Sequence, residues 1–309
     1  MRRVAIILLI LCLPFWACSC VWNARGLGID VIPEDVIKKM KLSTCSVLFM
    51  PVKHEEIKGL ELRKTIPFPE TRVIGTGFLV RDNIILTNRH VVEVILQYQK
   101  KYGHHDNWYI QFAYPDGDNW SETFRQIKSL FVLVDPHGGR FDVGLLTFNR
   151  NQNEMKGCKP LEFGALSSIS VGIDIALSGF PFGNEILNNS QFGILRSGAV
   201  IHEGIISGIA PHDNTAPRDI TMFLCDLNSA PGMSGAPVFI PGNGKTIGLF
   251  YAGVPGILGH AIPIDKKRVD GWINIFNEFL EGSLPEKIGE IELSIPGDVV
   301  DKTPGQREK

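Results

Sequence analysis

The first half of the chain alternates short apolar runs with polar turn residues, a pattern typical of short β-strands. A hairpin is predicted around residues 81–83, because one apolar run ends there and another begins directly afterwards. The pattern predicts six strands in this half, over residues 44–52, 73–80, 84–87, 108–114, 120–127 and 141–148.

The same pattern restarts near residue 158. It predicts strands over residues 173–178, 194–201, 204–209, 222–226, 237–239, 246–251 and 261–264. Apolar residues at helical spacing occur elsewhere and predict three helical segments. These are a short helix over 33–40, a helix just after His90, and an amphipathic helix over 264–280.

Two groups of about six strands predict an all-β fold of two packed, six-stranded antiparallel β-barrels, since closure leaves no exposed strand edges. The first barrel is expected over residues 43–157 and the second over 158–265, followed by a C-terminal helix over 266–281. Residues 20–42 are predicted to form a linker and short helix. Residues 282–309, rich in proline, glycine and charge, are predicted to form a flexible tail.

The N-terminus has the composition of a targeting segment. Two arginines precede an apolar run and then small residues, which predicts an export signal over residues 1–19. Cleavage after this segment exposes Cys20, a candidate for lipidation. An uncleaved anchor over residues 4–22 is the alternative, because this apolar stretch is just long enough to span a membrane. Each reading predicts a bacterial protein that is periplasmic or anchored on the non-cytoplasmic side.

The overall composition is that of an ordinary globular protein, with 44% hydrophobic and 21% charged residues. A net charge of −2, spread along the chain, argues against nucleic acid as a partner. Three of the six cysteines lie within residues 1–20; the other three are Cys45, Cys158 and Cys225, an odd number, so one is free or pairs elsewhere. No cysteine or histidine spacing is typical of a metal site, and none is predicted.

Three short motifs carry candidate chemistry. Ser234 lies between Gly232 and Gly235, which allow a sharp turn that aims backbone amides at one point. His90 follows an apolar strand, and Asp142 is a single carboxylate in an otherwise apolar strand. In this order and context, the three motifs resemble those of the chymotrypsin-like serine proteases, over roughly residues 43–281.

Within that family the chain most resembles the bacterial HtrA-like proteases. Asp226 lies eight residues before the serine, and residues 179–183, 204–208 and 259–263 are similar to three segments of that group. HtrA-like proteins usually carry a peptide-binding PDZ domain after the protease. The residues that follow Glu281 are too few for one, so a stand-alone protease domain is expected.

The sequence departs from the family at several positions around the motifs. Met233 stands before the serine, where animal members have an aspartate that pairs with a new N-terminal amine. The zymogen switch of those enzymes is therefore expected to be absent. Ala236 replaces the second glycine after the serine, and Asn88 and Arg89 replace a small pair before the histidine.

The resemblance implies a reaction and a set of roles. Ser234 is expected to be the nucleophile, His90 the general base and Asp142 its partner. The backbone amides of Gly232 and Ser234 are expected to bind the oxyanion, without a cofactor. Protein or peptide substrates are expected to add as a strand along Phe250, Tyr251, Ala252 and Gly253.

The resemblance also suggests which side chains bind in the primary pocket. Asn228 is expected near the pocket base, where proteases that cut after lysine or arginine carry an aspartate. Phe250 is expected where some glutamate-specific relatives have a histidine. Cleavage after small or medium apolar residues is therefore predicted, unless loop shifts move either side chain out of the pocket.

Two other functions share these features. A protease fold that has kept its cleft and lost turnover would be a non-enzymatic peptide-binding protein. An esterase could use the same triad, although the His–Asp–Ser order argues against an α/β-hydrolase. The sequence leaves the oligomeric state open.

Overall fold

In the computed structural model, the described residues are 31–50, 72–102, 107–116, 119–133, 142–150, 155, 157–181, 198–254 and 258–281. They form two closed antiparallel barrels of six strands each and three α-helices. The predicted fold class, two six-stranded barrels with a C-terminal helix, is confirmed. The predicted signal, Cys20 and the predicted tail lie outside the described residues.

The first barrel has the strand order β1-β2-β3-β6-β5-β4. Its strands are β1 (Thr44–Phe49), β2 (Arg72–Arg81), β3 (Ile84–Thr87), β4 (Trp108–Asp116), β5 (Asn119–Val132) and β6 (Gly144–Phe148). The hairpin of β2 and β3 turns at residues 82–83, as the sequence predicts. Asp142 precedes β6 rather than lying within it, two residues before the strand begins.

The second barrel has the strand order β10-β11-β12-β9-β8-β7. Its strands are β7 (Asp174–Gly179), β8 (Val200–Ala210), β9 (Met222–Leu227), β10 (Pro237–Ile240), β11 (Lys245–Val254) and β12 (Leu258–Pro263). Residues 200–210 form one continuous strand, whereas the sequence pattern predicted a break between two strands after residue 201. The predicted break is wrong, because β8 remains paired with β7 through the polar residues His202 and Glu203.

The helices are α1 (Glu34–Ser43), α2 (Arg89–Tyr102) and α3 (Lys266–Leu280). Helix α1 begins after Pro33 with two acidic residues in its first turn, where they interact favourably with the helix dipole. Helix α3 begins after Asp265, whose side chain accepts a hydrogen bond from the backbone of Arg268 at 2.8 Å. None of the described helices is both long enough and apolar enough to cross a membrane.

One apolar cluster joins the two barrels and both terminal helices. Phe276 of α3 packs against Phe131 of the first barrel, with ring centroids 5.2 Å apart. Met40 of α1 is fully buried in the same cluster, together with Phe239 and Leu249 of the second barrel. The cluster fixes the relative position of the two barrels.

Cys45, Cys158 and Cys225 are all buried and free. Burial raises the pKa of Cys158 to about 11 and that of Cys225 to about 12. Among the described residues no cluster of three or more His, Cys, Asp and Glu side chains has the arrangement of a metal site.

Candidate active site

His90 and Asp142 form a bonded pair at the start of α2. The Nδ1 atom of His90 lies 2.7 Å from Oδ2 of Asp142, and the backbone N–H of His90 donates to Oδ1 at 2.9 Å. Both carboxylate oxygens therefore contact the same residue. With the proton on Nδ1, the imidazole keeps Nε2 as an acceptor. The His90 side chain is 45% exposed, so this ring remains accessible to a reactant.

Asp142 is itself held by contacts with the segment that precedes α2. The side-chain amide of Asn88 donates to the backbone carbonyl of Asp142 at 2.9 Å. Gly144 follows in the chain, and a Cβ there would lie 2.5 Å from Val92 and 3.0 Å from the Asn88 carbonyl. The glycine thus permits the close approach of β6 to α2 that brings Asp142 to His90.

Ser234 lies in a tight turn between two glycines with positive φ. Gly232 has φ of 94° and Gly235 has φ of 89°. A Cβ on Gly235 would overlap the Thr76 carbonyl and lie 2.5 Å from the Thr87 hydroxyl. The backbone of Gly235 also donates to the Phe250 carbonyl at 2.8 Å. Only glycine fits this position without displacing the first barrel.

Strand β2 brings the serine turn and the histidine helix together. The Thr76 backbone N–H donates to the Ser234 carbonyl at 2.7 Å, across the boundary between the barrels. A Cβ on the neighbouring Gly75 would lie 2.6 Å from Val91, next to His90, and 3.2 Å from the Ser234 carbonyl. Gly75 therefore lies next to both Ser234 and Val91, the residue that follows His90.

The predicted substrate strand is part of β11, at an irregular point of the sheet. Phe250 pairs with Ala261 and Ala252 with His260, so Tyr251 is an extra residue that forms a bulge. The Tyr251 ring stacks on His260 with centroids 5.9 Å apart. Burial, with a contribution from the Asp142 charge, raises the pKa of Tyr251.

The residues predicted for the primary pocket have different environments. Phe250 is buried, and a Cβ on Gly259 would lie 2.7 Å from its ring. Asn228 is exposed at the end of β9. The neighbouring Ser229 instead approaches Gly253, so closely that a Cβ there would overlap its hydroxyl. Sequence reasoning did not single out Ser229 as a pocket residue.

Two further polar residues bind the site segments together and were not assigned roles from the sequence. In the sequence, Asn88 is only a departure from the family, and Thr76 carries no assigned role. Their hydrogen bonds join residues 54 and 156 positions apart, a separation that no local pattern encodes.

A sequence model of the trypsin-like peptidase domain matches residues 75–249, which is more than half of the chain. The chain belongs to the trypsin-like peptidase family. The match includes His90, Asp142 and Ser234, and it confirms the predicted resemblance to chymotrypsin-like serine proteases. The predicted class of enzyme, a serine peptidase, is confirmed at the level of the family.

This trypsin-like peptidase is also similar to individual proteins. Glutamyl endopeptidase of Staphylococcus epidermidis is 24% identical over 225 residues, which is 72% of this chain and 66% of the relative. The chain thus spans slightly less than two thirds of the length of that relative. The solved structure of Deg5 has 18% identity and a TM-score of 0.47, covering 80% of this chain and 94% of that one. The HtrA-type protease AlgW with a decapeptide has 18% identity and a TM-score of 0.48, covering 80% and 67%.

Proposed function

We propose that this chain is a serine endopeptidase that hydrolyses peptide bonds through an acyl-enzyme. The observation that carries the proposal is the His90–Asp142 pair, bonded at 2.7 Å, together with Gly75, which lies next to both Val91 and Ser234. Membership of the trypsin-like peptidase family supports it. The proposed protease domain comprises residues 43–281.

The proposed reaction has two halves. Ser234 Oγ attacks the peptide carbonyl carbon while Nε2 of His90 takes its proton, and that proton then passes to the leaving amine as the C–N bond breaks. In the second half water attacks the resulting ester while Nε2 of His90 takes a proton from it, and that proton passes to Ser234 Oγ as the ester C–O bond breaks. Asp142 keeps the imidazole in the required tautomer. The amides of Gly232 and Ser234 stabilise the negative oxygen in both halves.

Substrate would bind as an extended strand beside residues 250–253. The bulge at Tyr251 interrupts regular pairing with β12 at this point. Pairing of β10 with β11 ends at Leu249, so on that edge residues 251–253 have no strand partner within the described residues, and a peptide can add there. Contacts to backbone atoms supply affinity for any extended peptide, so sequence preference must come from the pocket.

The pocket favours small or medium apolar side chains such as valine, alanine or isoleucine. The Phe250 ring is buried and lies against Gly259, and it offers no charge to a bound side chain. A buried ion without a partner costs several kcal/mol. The similar glutamyl endopeptidase is named for glutamate, and cleavage after glutamate is therefore the main competing outcome.

Digestion of an unbiased peptide library with purified protein tests both the activity and the preference. Wild type is expected to cut internal bonds after valine, alanine or isoleucine, whereas Ser234→Ala is expected to cut none. Dominant cleavage after glutamate, lysine or arginine would contradict the pocket assignment and leave the peptidase intact. Peptide binding without cleavage by wild type would indicate a silent protease fold, and hydrolysis of esters alone would indicate an esterase.

We also propose export, with a role in quality control or processing of other exported proteins. The support is the N-terminal pattern of two arginines, an apolar run and small residues before Cys20. N-terminal mass analysis of protein from bacterial cells is expected to find a chain that begins at or near Cys20, with or without lipid. An intact Met1 in the soluble cytosolic fraction would contradict export.

A further inference from the structure

The side-chain hydroxyl of Thr76 connects three segments around the serine turn. Thr76 is fully buried in β2. Its Oγ1 donates to the Gly232 carbonyl at 2.7 Å and accepts from the backbone N–H of Phe180 at 3.1 Å. Its backbone N–H donates to the Ser234 carbonyl at 2.7 Å. One residue of the first barrel thus holds two carbonyls of a turn that belongs to the second.

We propose that Thr76 is a positioning residue for peptide hydrolysis, acting through the orientation of the Gly232 backbone. The inference rests on the proposed function, because it assigns Gly232 a part in binding the oxyanion. It adds a side chain outside the triad and outside the serine turn itself. Thr76 has no role in proton transfer and does not contact the substrate.

The physical reason is the rotational freedom of glycine. Gly232 has φ of 94°, and without a Cβ it can reach many other backbone conformations at small cost. Hydrogen bonds to the carbonyls of Gly232 and Ser234 restrict rotation on both sides of Met233. The amide N–H groups of Gly232 and Ser234 then keep a fixed relative direction, which oxyanion binding requires.

The geometry makes a hydroxyl necessary at this position. Valine has nearly the same shape as threonine and can fill the same buried space, but it cannot donate to Gly232 or accept from Phe180. Serine retains both hydrogen bonds and loses only a methyl group. Comparison of the valine and serine variants therefore separates the effect of the hydroxyl group from the effect of side-chain packing.

Steady-state kinetics of Thr76→Val, Thr76→Ser and Thr44→Val test the proposal. Thr44 is the matched control, because it is also fully buried and its hydroxyl donates to a backbone carbonyl, that of Met40, at 2.8 Å. Loss of one full oxyanion donor lowers kcat by about 10²–10³-fold, so a misdirected donor is expected to lower it about 10–100-fold. Thr76→Val should show this loss with KM changed less than about 3-fold, whereas Thr76→Ser and Thr44→Val should keep kcat within about 3-fold.

A transition-state analogue supplies a readout that a purely structural role would not change. A peptide aldehyde ending in valine forms a hemiacetal with the serine, and its oxygen occupies the oxyanion site. Thr76→Val is expected to bind this aldehyde more weakly by the same factor as its loss of kcat/KM, while its affinity for the corresponding peptide acid stays unchanged.

The outcomes separate this inference from the proposed function. A folded Thr76→Val protein with wild-type kcat and aldehyde affinity would overturn the role of Thr76 and leave the peptidase intact. Wild type that neither cleaves peptides nor binds the aldehyde would overturn both. If Thr76→Val does not fold, Thr76→Ala removes the same hydroxyl with a smaller side chain. A loss of kcat in Thr76→Ser as large as that in Thr76→Val, or in Thr76→Ala where the valine variant does not fold, would also overturn the proposal.

Discussion

At the scale of single residues, the candidate chemistry depends on how His90 and Asp142 hold each other. Asp142 uses one oxygen for the His90 ring and the other for the His90 backbone. The imidazole therefore cannot rotate without breaking a charge-assisted hydrogen bond, which is stronger than a neutral one. In the proposed mechanism, this pair holds the imidazole in an orientation suited to proton transfer.

Substitution of any member of the triad should nearly abolish peptidase activity. His90→Ala, Asp142→Asn and Ser234→Ala are each expected to lower kcat by about 10⁴-fold or more, because the three side chains act as one unit. The double variant His90→Ala/Ser234→Ala should be no slower than either single variant. Kinetics of purified, folded proteins measure this, and additive losses would argue against a triad.

Alanine should lower the free energy of unfolding far more at Gly235 than at Gly172, another glycine with a similar positive φ. Gly172 has φ of 87° and a Cβ there meets nothing within 4 Å, so Gly172→Ala is expected to cost about 1–2 kcal/mol. Gly235→Ala adds overlap with the Thr76 carbonyl and should cost about 3 kcal/mol more. Urea denaturation of both variants gives the difference. Equal losses would mean that the close contact with β2 is unimportant.

The sequence indicates the triad because each member lies in its own short motif, next to apolar residues or glycines. It does not indicate Thr76, Asn88 or Ser229, since their contacts exist only after the barrels have formed. The Asn88 amide reaches Asp142, and the Ser229 hydroxyl approaches Gly253. Such contacts depend on strand register, which no pattern around these residues specifies.

At the scale of elements, helix α3 follows the second barrel in the chain and packs against the first. Phe276 packs on Phe131, and Asp270 accepts hydrogen bonds from Arg81 at the end of β2 and from Lys266 within the helix. The helix was predictable from the spacing of its apolar residues. The residue against which its apolar face packs was not predictable, because Phe131 lies in the first barrel, far from the helix in sequence.

Removal of the Phe276 ring should destabilise the protein much more than loss of an exposed apolar side chain on the same helix. Phe276→Ala is expected to lower the free energy of unfolding by about 3–5 kcal/mol, because it leaves a cavity between helix and barrel. Leu280 is 52% exposed, so Leu280→Ala should cost about 0.5 kcal/mol or less. Denaturant titration compares the two, and similar values would contradict the packing of α3.

Asp270 should make part of the stability depend on pH. The hydrogen bond from Lys266, with the charges of Arg81 and Lys266, lowers the pKa of Asp270 in the folded state. Its contribution is therefore fully present above the unfolded-state pKa of about 3.9 and is lost as pH falls through the lower folded-state pKa. Asp270→Asn should reduce the loss of stability below about pH 4. An unchanged acid profile would contradict this role.

The strand pattern of the second barrel shows where local reasoning was insufficient. The polar residues His202 and Glu203 predicted a break, but β8 continues through them because its pairing with β7 carries on across both positions. Hydrogen-bonded pairing with the neighbouring strand thus determines the structure of this segment, despite its polar residues.

At the scale of the whole molecule, both barrels contribute residues to the candidate active site. The first supplies His90, Asp142 and Thr76, and the second supplies the turn with Ser234. The shared apolar cluster and the hydrogen bond from Thr76 to Ser234 hold these parts in register. The two-barrel architecture was predictable from the sequence, but the contacts between barrels required the structure.

Covalent labelling with a fluorophosphonate tests the central claim most directly, since it requires a serine activated by its base and an oxyanion site. Intact mass measurement of the folded, full-length protein is expected to show one adduct per chain, located on Ser234 by peptide mapping. Ser234→Ala should remain unlabelled, and His90→Ala should react far more slowly. Folded wild type without an adduct, or equal labelling of Ser234→Ala, would contradict the assignment of Ser234 as an activated nucleophile.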